Sequence, residues 1–309
     1  MAAESKTVTK PCPLCGAGAG YERTLNEIDL VKCGGCAFVY SSLDDEAIEE
    51  ANFHFDEEIV ERYRTMQTWV DRNWFAGMVR RVTRKTGVGT VLDVGCGNGT
   101  LLREFAKQGW QGWGVDPSPW AKRCAEGYEV RQATLHDAGF PDDHFDAVMN
   151  TAVLEHVAQP QPYVAEVLRV LKPGGCAYFN VPNYGSLAIR LGCGTFRSNT
   201  PPWHANFFTH GTLRGFFARY GDRLSEISIR SYGIPQAYGA YVGVHRFLRR
   251  LVGRGPKRSS GSKRVSSDRA DKRFIAWLFA TVYYQAGRPL KLGDKLEVMV
   301  VKAKEGVRS

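Results

Sequence analysis

No apolar run in this chain is long enough to cross a bilayer as a helix; the longest nearly uninterrupted one is FIAWLFATVYY at 274–284. The first residues, MAAESKTVTKPC, lack the apolar core of a secretory signal. Both absences lead us to expect a cytoplasmic protein. Net charge is also missing from most of the chain. Between His245 and Arg273, eleven Lys and Arg residues face only Asp268 and Asp271, which equals the whole formal charge of +9 and leaves the remainder neutral. A neutral globule with one basic segment is a weaker candidate for nucleic-acid binding than a chain that is basic throughout. What is present is ample: 309 residues at 43% hydrophobic can bury a full core and leave length for a second domain.

Four of the eight cysteines fall in two knuckles, PCPLCG at 11–16 and KCGGCAF at 32–38. Cys12 and Cys15 are two residues apart, as are Cys33 and Cys36, with seventeen residues between the pairs. Four thiolates at this spacing can close tetrahedrally on one structural zinc, and the intervening length suits a short β-hairpin. Gly16, Gly34 and Gly35 allow the tight turns that bring backbone amides to the sulfurs. With all four positions filled by cysteine, no coordination site stays open for catalysis. We read residues 1–42 as a zinc ribbon. The remaining cysteines, Cys96, Cys124, Cys176 and Cys193, show no pairing pattern and read as small hydrophobes.

Residues 43–86 read as a charged helical bridge punctuated by Phe53, Phe55, Tyr63, Trp69, Trp74 and Phe75, a packing surface that also covers the mouth of the next domain. From 87 to 309 strands and helices alternate. VLDV at 91–94, GWGVD at 112–116, FDAVMN at 145–150 and CAYFNV at 176–181 read as strands. LLREFAKQ at 101–108 and QPYVAEVLRVL at 161–171 carry helical spacing, the second closed by LKPGG. This is the sequence form of an α/β, Rossmann-like parallel sheet with helices on both faces.

The chemistry sits in DVGCGNGT at 93–100. Gly95, Gly97 and Gly99 let the chain turn sharply from strand to helix and let a ligand approach the backbone. The spacing is G-x-G-x-G, with Thr100 where a third dinucleotide-binding glycine would fall. Asp93, just before the first glycine, suits a cofactor bearing an ammonium and a sulfonium better than one bearing a pyrophosphate. Asp116, ending the next strand in GVDPSP, can accept from both ribose hydroxyls of an adenosine or else cap the following helix.

VLDVGCGNGTLL, GVDPSP and FPDDHFDAVMNTAVLEHVAQPQPYVAEVLRVLKPGG, in order over about residues 88–184, resemble the class I S-adenosylmethionine-dependent methyltransferases. A cysteine-rich ribbon ahead of such a domain looks like a bacterial subgroup of sugar and natural-product methyltransferases. The resemblance implies a seven-stranded sheet whose last strand is antiparallel, a part that KLEVMVVKAK at 295–304 fits. It places Asp93, Gly95, Gly97 and Gly99 around the methionine part of the cofactor and Asp116 on the ribose. Thr134 and Leu135 would border the adenine; a carboxylate is common there, whereas this chain has Thr134 with Asp137 three residues on. Asn150 and Thr151 would line the sulfonium.

A hydroxyl acceptor needs alignment with the C–S bond and gains from a base with a pKa near working pH. The candidate catalytic residues are His156, in LEHV, and His204, in PPWHANFFTH at 201–210. Within the family, the Glu-His pair of LEHV often packs the helix on the sheet. His204 lies in the acceptor-covering segment, about 184–220, stiffened by Pro201, Pro202 and Trp203 and flanked by Phe207 and Phe208. His210 reads as the N-cap or a surface residue of the helix that follows. The chain has NTAV at 150–153 where superfamily members that methylate exocyclic base amines or glutamine side chains carry an Asn- or Asp-Pro-Pro-aromatic run, which leaves oxygen, carbon or ring-nitrogen acceptors, oxygen being the commonest.

A basic insertion spans about 233–290. Its centre, GRGPKRSSGSKRVSSDRADKR, reads as solvated linker between two apolar flanks. It is read either as a plain loop, as a peripheral contact with anionic membrane through 245–284, or as an RNA contact lacking interleaved aromatics. The leading function is O-methylation of a small molecule, a sugar, glycolipid or secondary metabolite, by in-line transfer with a histidine base. The alternatives are an RNA methyltransferase whose ribbon and basic segment bind phosphates, and a non-catalytic cofactor-binding scaffold.

Overall fold

A computed structural model describes residues 10–53, 69–119, 121–125, 127–190, 201–232 and 290–304. The basic insertion from 233 to 289, and the aromatic positions Phe55 and Tyr63 of the bridge, lie outside the described residues.

The strands β4 (Thr90–Val94), β5 (Gln111–Val115), β6 (Glu129–Arg131), β7 (Phe145–Thr151), β8 (Leu171–Pro182), β10 (Leu224–Tyr232) and β11 (Lys295–Lys302) form one sheet in the order β10-β11-β8-β7-β4-β5-β6. The pairs β4–β5, β5–β6, β4–β7 and β7–β8 are parallel, and β11 runs antiparallel to both of its neighbours. The expected seven-stranded sheet with an antiparallel last strand is therefore present.

Strand alternation explains the two helical layers. Val91, Ala147, Met149 and Tyr178 point to one face and pack with Met78, Val79 and Val82 of α2 (Trp69–Thr86) and Leu101 and Phe105 of α3 (Thr100–Ala106). Their strand neighbours Leu92, Val148, Ala177 and Phe179 point the other way. They meet Val164, Val167 and Leu168 of α5 (Pro160–Val170) and Leu213, Phe216 and Phe217 of α7 (His210–Ala218). Both faces are apolar, so the central strands read as near-continuous hydrophobic runs. The remaining described helices are α1 (Asp45–Phe53), α4 (Ala121–Cys124) and α6 (Leu187–Arg190). No helix among the described residues is long and apolar enough to cross a membrane.

The cysteine-rich segment folds as β1 (Ala19–Leu25), β2 (Ile28–Cys33) and β3 (Val39–Ser41), antiparallel and in sequence order. A fourth strand comes from far along the chain: β9 (Asn206–Phe207) pairs with β3, Val39 opposite Phe207 and Tyr40 opposite Asn206. Phe38 packs on Phe208 with ring centroids 4.9 Å apart, and Leu14, Val31 and Tyr40 share the core cluster that holds α5 and α7. The segment around His204 thus completes the cysteine-bearing sheet.

Candidate active site

The two sides of the sheet part next to β4: β5 and β6 follow on one side, β7 and β8 on the other. A crevice at the carboxyl end of the strands forms at such a reversal. The glycine turn fills it. Gly95, Gly97 and Gly99 have φ of 68°, 50° and 70°, a region that costs other L-residues about 1 kcal/mol or more. A side chain at Gly95 would also place its Cβ 2.8 Å from Val153 Cγ2.

Gly97 N–H donates to Asp116 Oδ2 at 2.9 Å, while the Ser118 N–H donates to Asp116 Oδ1, also at 2.9 Å, and its hydroxyl joins it. Asp116 therefore ties the turn to the end of β5. Asp93 is 3% exposed, and burial together with the charge of Asp116 holds its carboxyl well above the ordinary carboxylate range. Two buried acids at one glycine turn repel each other, so a cation between or beside them relieves both.

The other predicted cofactor residues separate into two kinds. Leu135 is buried in the loop after β6, while the exposed Thr134 donates its hydroxyl to Asp137 at 2.6 Å and accepts the Asp137 N–H. Asn150, wholly buried at the end of β7, donates to the Tyr178 carbonyl at 3.2 Å and accepts from the Tyr163 hydroxyl. Thr151 follows it, and its Oγ1 is buried with no hydrogen-bond partner among the described residues. Ala152 then takes a φ of 56°, a strained value for a residue with a Cβ, anchored by its N–H on the Asn180 carbonyl at 2.9 Å.

Beyond this kink the histidines meet. The His156 and His204 rings stand edge to face with centroids 4.7 Å apart. Ala205 N–H and Asn206 N–H both donate to the Glu155 carbonyl, at 2.8 and 3.0 Å, and Asn206 Nδ2 donates to the Leu154 and Val157 carbonyls. His156 Nδ1 lies 2.9 Å from Asn52 Oδ1 and 2.8 Å from the Trp203 carbonyl. Burial lowers its pKa to about 4 against the pull of that carbonyl, so the ring is neutral at physiological pH. Burial also raises Glu155 to about 7, partly offset by the charge of Lys295. Tyr163 is in electrostatic reach of both Glu155 and Asp93, which joins this corner to the glycine turn.

His210 opens α7 but is not its N-cap. Thr209 is the N-cap of α7, its hydroxyl accepting from Thr212 N–H while Thr212 returns a bond to the Thr209 N–H. His210 is the first helical residue, half-buried, with its pKa lowered by burial and by Lys291 and Arg214. Sequence reasoning passed over Asn52, Asn206 and Lys295, which lie in separate segments and carry no motif.

The four knuckle cysteines also converge. Cys12–Cys36, Cys15–Cys33 and Cys15–Cys36 have Sγ separations of 3.7, 3.3 and 3.6 Å. Gly35 N–H and Cys36 N–H both point at Cys33 Sγ, at 3.3 and 3.4 Å.

A family model described as a methyltransferase domain matches residues 62–225, just over half of the chain. The ubiquinone biosynthesis O-methyltransferase of Cereibacter sphaeroides is 34% identical over 93 residues, 28% of this chain and 38% of that protein. Demethylmenaquinone methyltransferase of Tropheryma whipplei is 37% identical over 91 residues, with the same shares. The chain thus spans about two fifths of the length of these curated relatives. A SAM-dependent methyltransferase from Archaeoglobus fulgidus has the same fold: TM-score 0.51 and 17% identity, over 80% of this chain and 100% of that one. The matched span contains the glycine turn, Asp93 and Asp116, and both histidines of the edge-to-face pair, and on it the chain belongs to the methyltransferase-domain family.

Proposed function

We propose that the chain transfers the methyl group of S-adenosylmethionine to an oxygen of a small molecule. The observation that carries the reading is the pairing of two buried acids across the glycine turn, with Gly97 N–H and Asp116 locked together. Asp93 would take the ammonium of the methionine part, and the backbone at Gly95 and Gly97 leaves room for it. Asp116 would take the ribose, exchanging its internal donors for hydroxyls. Leu135 would border the adenine, with Thr134 at the rim. Asn150, fixed from both ends, would hold the floor below the sulfonium, and the buried Thr151 hydroxyl would line it. The sulfonium supplies an electrophilic methyl; the chain aligns the acceptor and removes its proton.

For proton removal the reading assigns His204 as the base, with His156 as the ring that orients it. His156 is neutral and held by carbonyl oxygens, and it sets the His204 plane by edge-to-face contact. Phe207 and Phe208 follow it in the chain and are buried; they would help to exclude water from the acceptor. An oxygen acceptor is supported by the name of the Cereibacter relative, an O-methyltransferase. Sugars, glycolipids and secondary metabolites remain the substrate classes of choice, and residues 245–284 would bring the protein to an anionic membrane surface if the acceptor is lipid-linked.

Zinc fits the cysteine site. Zn–S bonds of about 2.3 Å in a tetrahedron put sulfurs roughly 3.8 Å apart, close to the Sγ separations of 3.3–3.7 Å. Cys12, Cys15, Cys33 and Cys36 would hold it, closing the end of the sheet that β9 completes.

The test is transfer of labelled methyl from S-adenosylmethionine into extract of the source cells, fractionated into small polar molecules, lipid and RNA. Label in the first two pools supports the reading; ribonuclease-sensitive label overturns it, and cofactor binding with no label in any pool points to a scaffold. His204→Gln is expected to leave cofactor affinity unchanged and to lower turnover at least tenfold; unchanged turnover removes His204 from proton transfer.

A further inference from the structure

We propose that Glu155, His156 and His204 form a second metal site, built for a divalent transition-metal ion of the zinc type and distinct from the four cysteines. One carboxylate oxygen and one ring nitrogen from each histidine all lie within 4.8 Å of one another. Nitrogen and oxygen ligands sit about 2.0–2.2 Å from such an ion, hence roughly 3.4 Å apart in a tetrahedron. Small side-chain rotations close the difference.

Three further observations favour a cation here over a packed polar corner. Glu155 is 1% exposed, and its Oε2 has no hydrogen-bond partner among the described residues. A buried carboxylate oxygen without a donor is costly, and a metal ion removes that cost. The His156 tautomer is set by its surroundings. Nδ1 faces two oxygens, Asn52 Oδ1 and the Trp203 carbonyl, and the Asn52 amide is fixed because its Nδ2 donates to the Ile48 and His156 carbonyls at 2.8 and 3.1 Å. Nδ1 therefore carries the proton and Nε2 the lone pair, the arrangement by which an outer carbonyl or carboxamide aims a metal-binding imidazole. His204 is brought to the same point by its chain neighbours, whose N–H groups bond the Glu155 carbonyl.

Lys295 is the competing cation. Its ammonium is in electrostatic reach of both Glu155 and Asp294. Three protein ligands leave the ion an open fourth position. The consequence for activity rests on the function proposed above. An ion bound here takes the imidazole lone pair that proton removal from the acceptor requires, so occupation suppresses methyl transfer and a chelator of moderate strength restores it.

The experiment uses the full chain with its cysteine-bound zinc in place, dialysed against graded Zn2+ and analysed for metal per chain. The expected result is a second equivalent in the wild type, weakened at least tenfold in Glu155→Gln and in His204→Gln, and weakened less in Asn52→Ala. Lys295→Met should tighten it, a gain that misfolding cannot imitate. Cobalt loading separates the two sites, because only the cysteine site gives an intense thiolate charge-transfer band. A wild type that stops at one equivalent overturns the proposal. So does a second equivalent that shows the thiolate band or keeps its affinity in both ligand variants. Cofactor binding is measured on the same samples, so failure of the methyl-transfer reading registers there and not in the metal count.

Discussion

At the glycine turn the acids and amides bind one another within residues 93–118: Gly97 to Asp116, Ser118 to Asp116, Gly95 to the Val115 carbonyl at 2.8 Å. Around His156 and Glu155 the partners come from Asn52, from the Trp203–Asn206 segment and from residues 154–157 themselves, three stretches far apart in sequence. The first centre is a property of one strand–turn–helix unit, and its polar groups are largely engaged before any ligand arrives. The second exists only where the cysteine-bearing sheet, α1 and the loop after β7 meet, and its buried Glu155 Oε2 has no hydrogen-bond partner among the described residues. On the proposed function, cofactor recognition and acceptor chemistry would be separable. A change at the histidine corner would then leave the turn intact, whereas a backbone change at the turn would remove the cofactor on which transfer depends.

That separation can be broken or sharpened by mutation. The largest effect is expected from Asp116→Ala, which removes the acid and loosens the Gly97 and Ser118 amides. Loss of two charged hydrogen bonds corresponds to cofactor affinity at least about 100-fold lower by calorimetry, while metal binding at the histidine corner stays as in wild type. Loss of both together would show that the centres are one unit. Gly95→Ala comes next: φ of 68° and a Cβ 2.8 Å from Val153 should cost about tenfold in cofactor affinity and lower the melting temperature.

Asp93→Asn should act in opposite senses on binding and stability. A carboxyl whose folded pKa lies above its unfolded value stabilises the fold at low pH and loses that contribution as pH rises through the folded value. Asp93 is raised by burial and by Asp116, so ligand-free stability should fall as pH climbs above about 4. Asp93→Asn should flatten that fall, raise the neutral-pH melting temperature by about 3 °C, and weaken cofactor binding about tenfold. A variant that melts lower at neutral pH than the wild type would contradict the assignment. The smallest effect is expected from Asn206→Ala, which strips donors from the Leu154 and Val157 carbonyls. Denaturant unfolding should report about 2 kcal/mol, with turnover reduced and cofactor affinity unchanged.

The legibility of the two centres follows their construction. DVGCGNGT could be read because a parallel strand, a positive-φ turn and a helix start are all local requirements, written as an apolar run, three glycines and an apolar helical stripe. The antiparallel direction of β11 was expected from the family resemblance alone; KLEVMVVK only supplied a largely apolar run to fill that place, with Glu297 buried in it against Arg81. The four knuckle cysteines were legible from spacing alone. By contrast β9 is two residues long and owes its strand conformation to β3, which lies over 160 positions earlier. No periodicity can be measured in two residues. Asn52, Asn206 and Lys295 left no signal because a single polar residue in a helix, a loop or a strand end acquires its meaning from what it meets. Of the two places expected for His210, it opens the helix but is not its N-cap: Thr209 and Thr212 form the reciprocal capping pair.

The sequence by itself determined the parallel sheet and its glycine turn, the pair of acids that flank it, and the cysteine quartet, because strand burial, backbone handedness and metal-ligand spacing are settled within a few residues of one another. Only the tertiary structure decided that His204 stands against His156 and above Glu155. That meeting depends on Asn206 and Phe207 adding a strand to the cysteine-bearing sheet and on Asn52 arriving from α1. Hydrogen bonds between segments so far apart become favourable only when the two sheets have already packed on a common core.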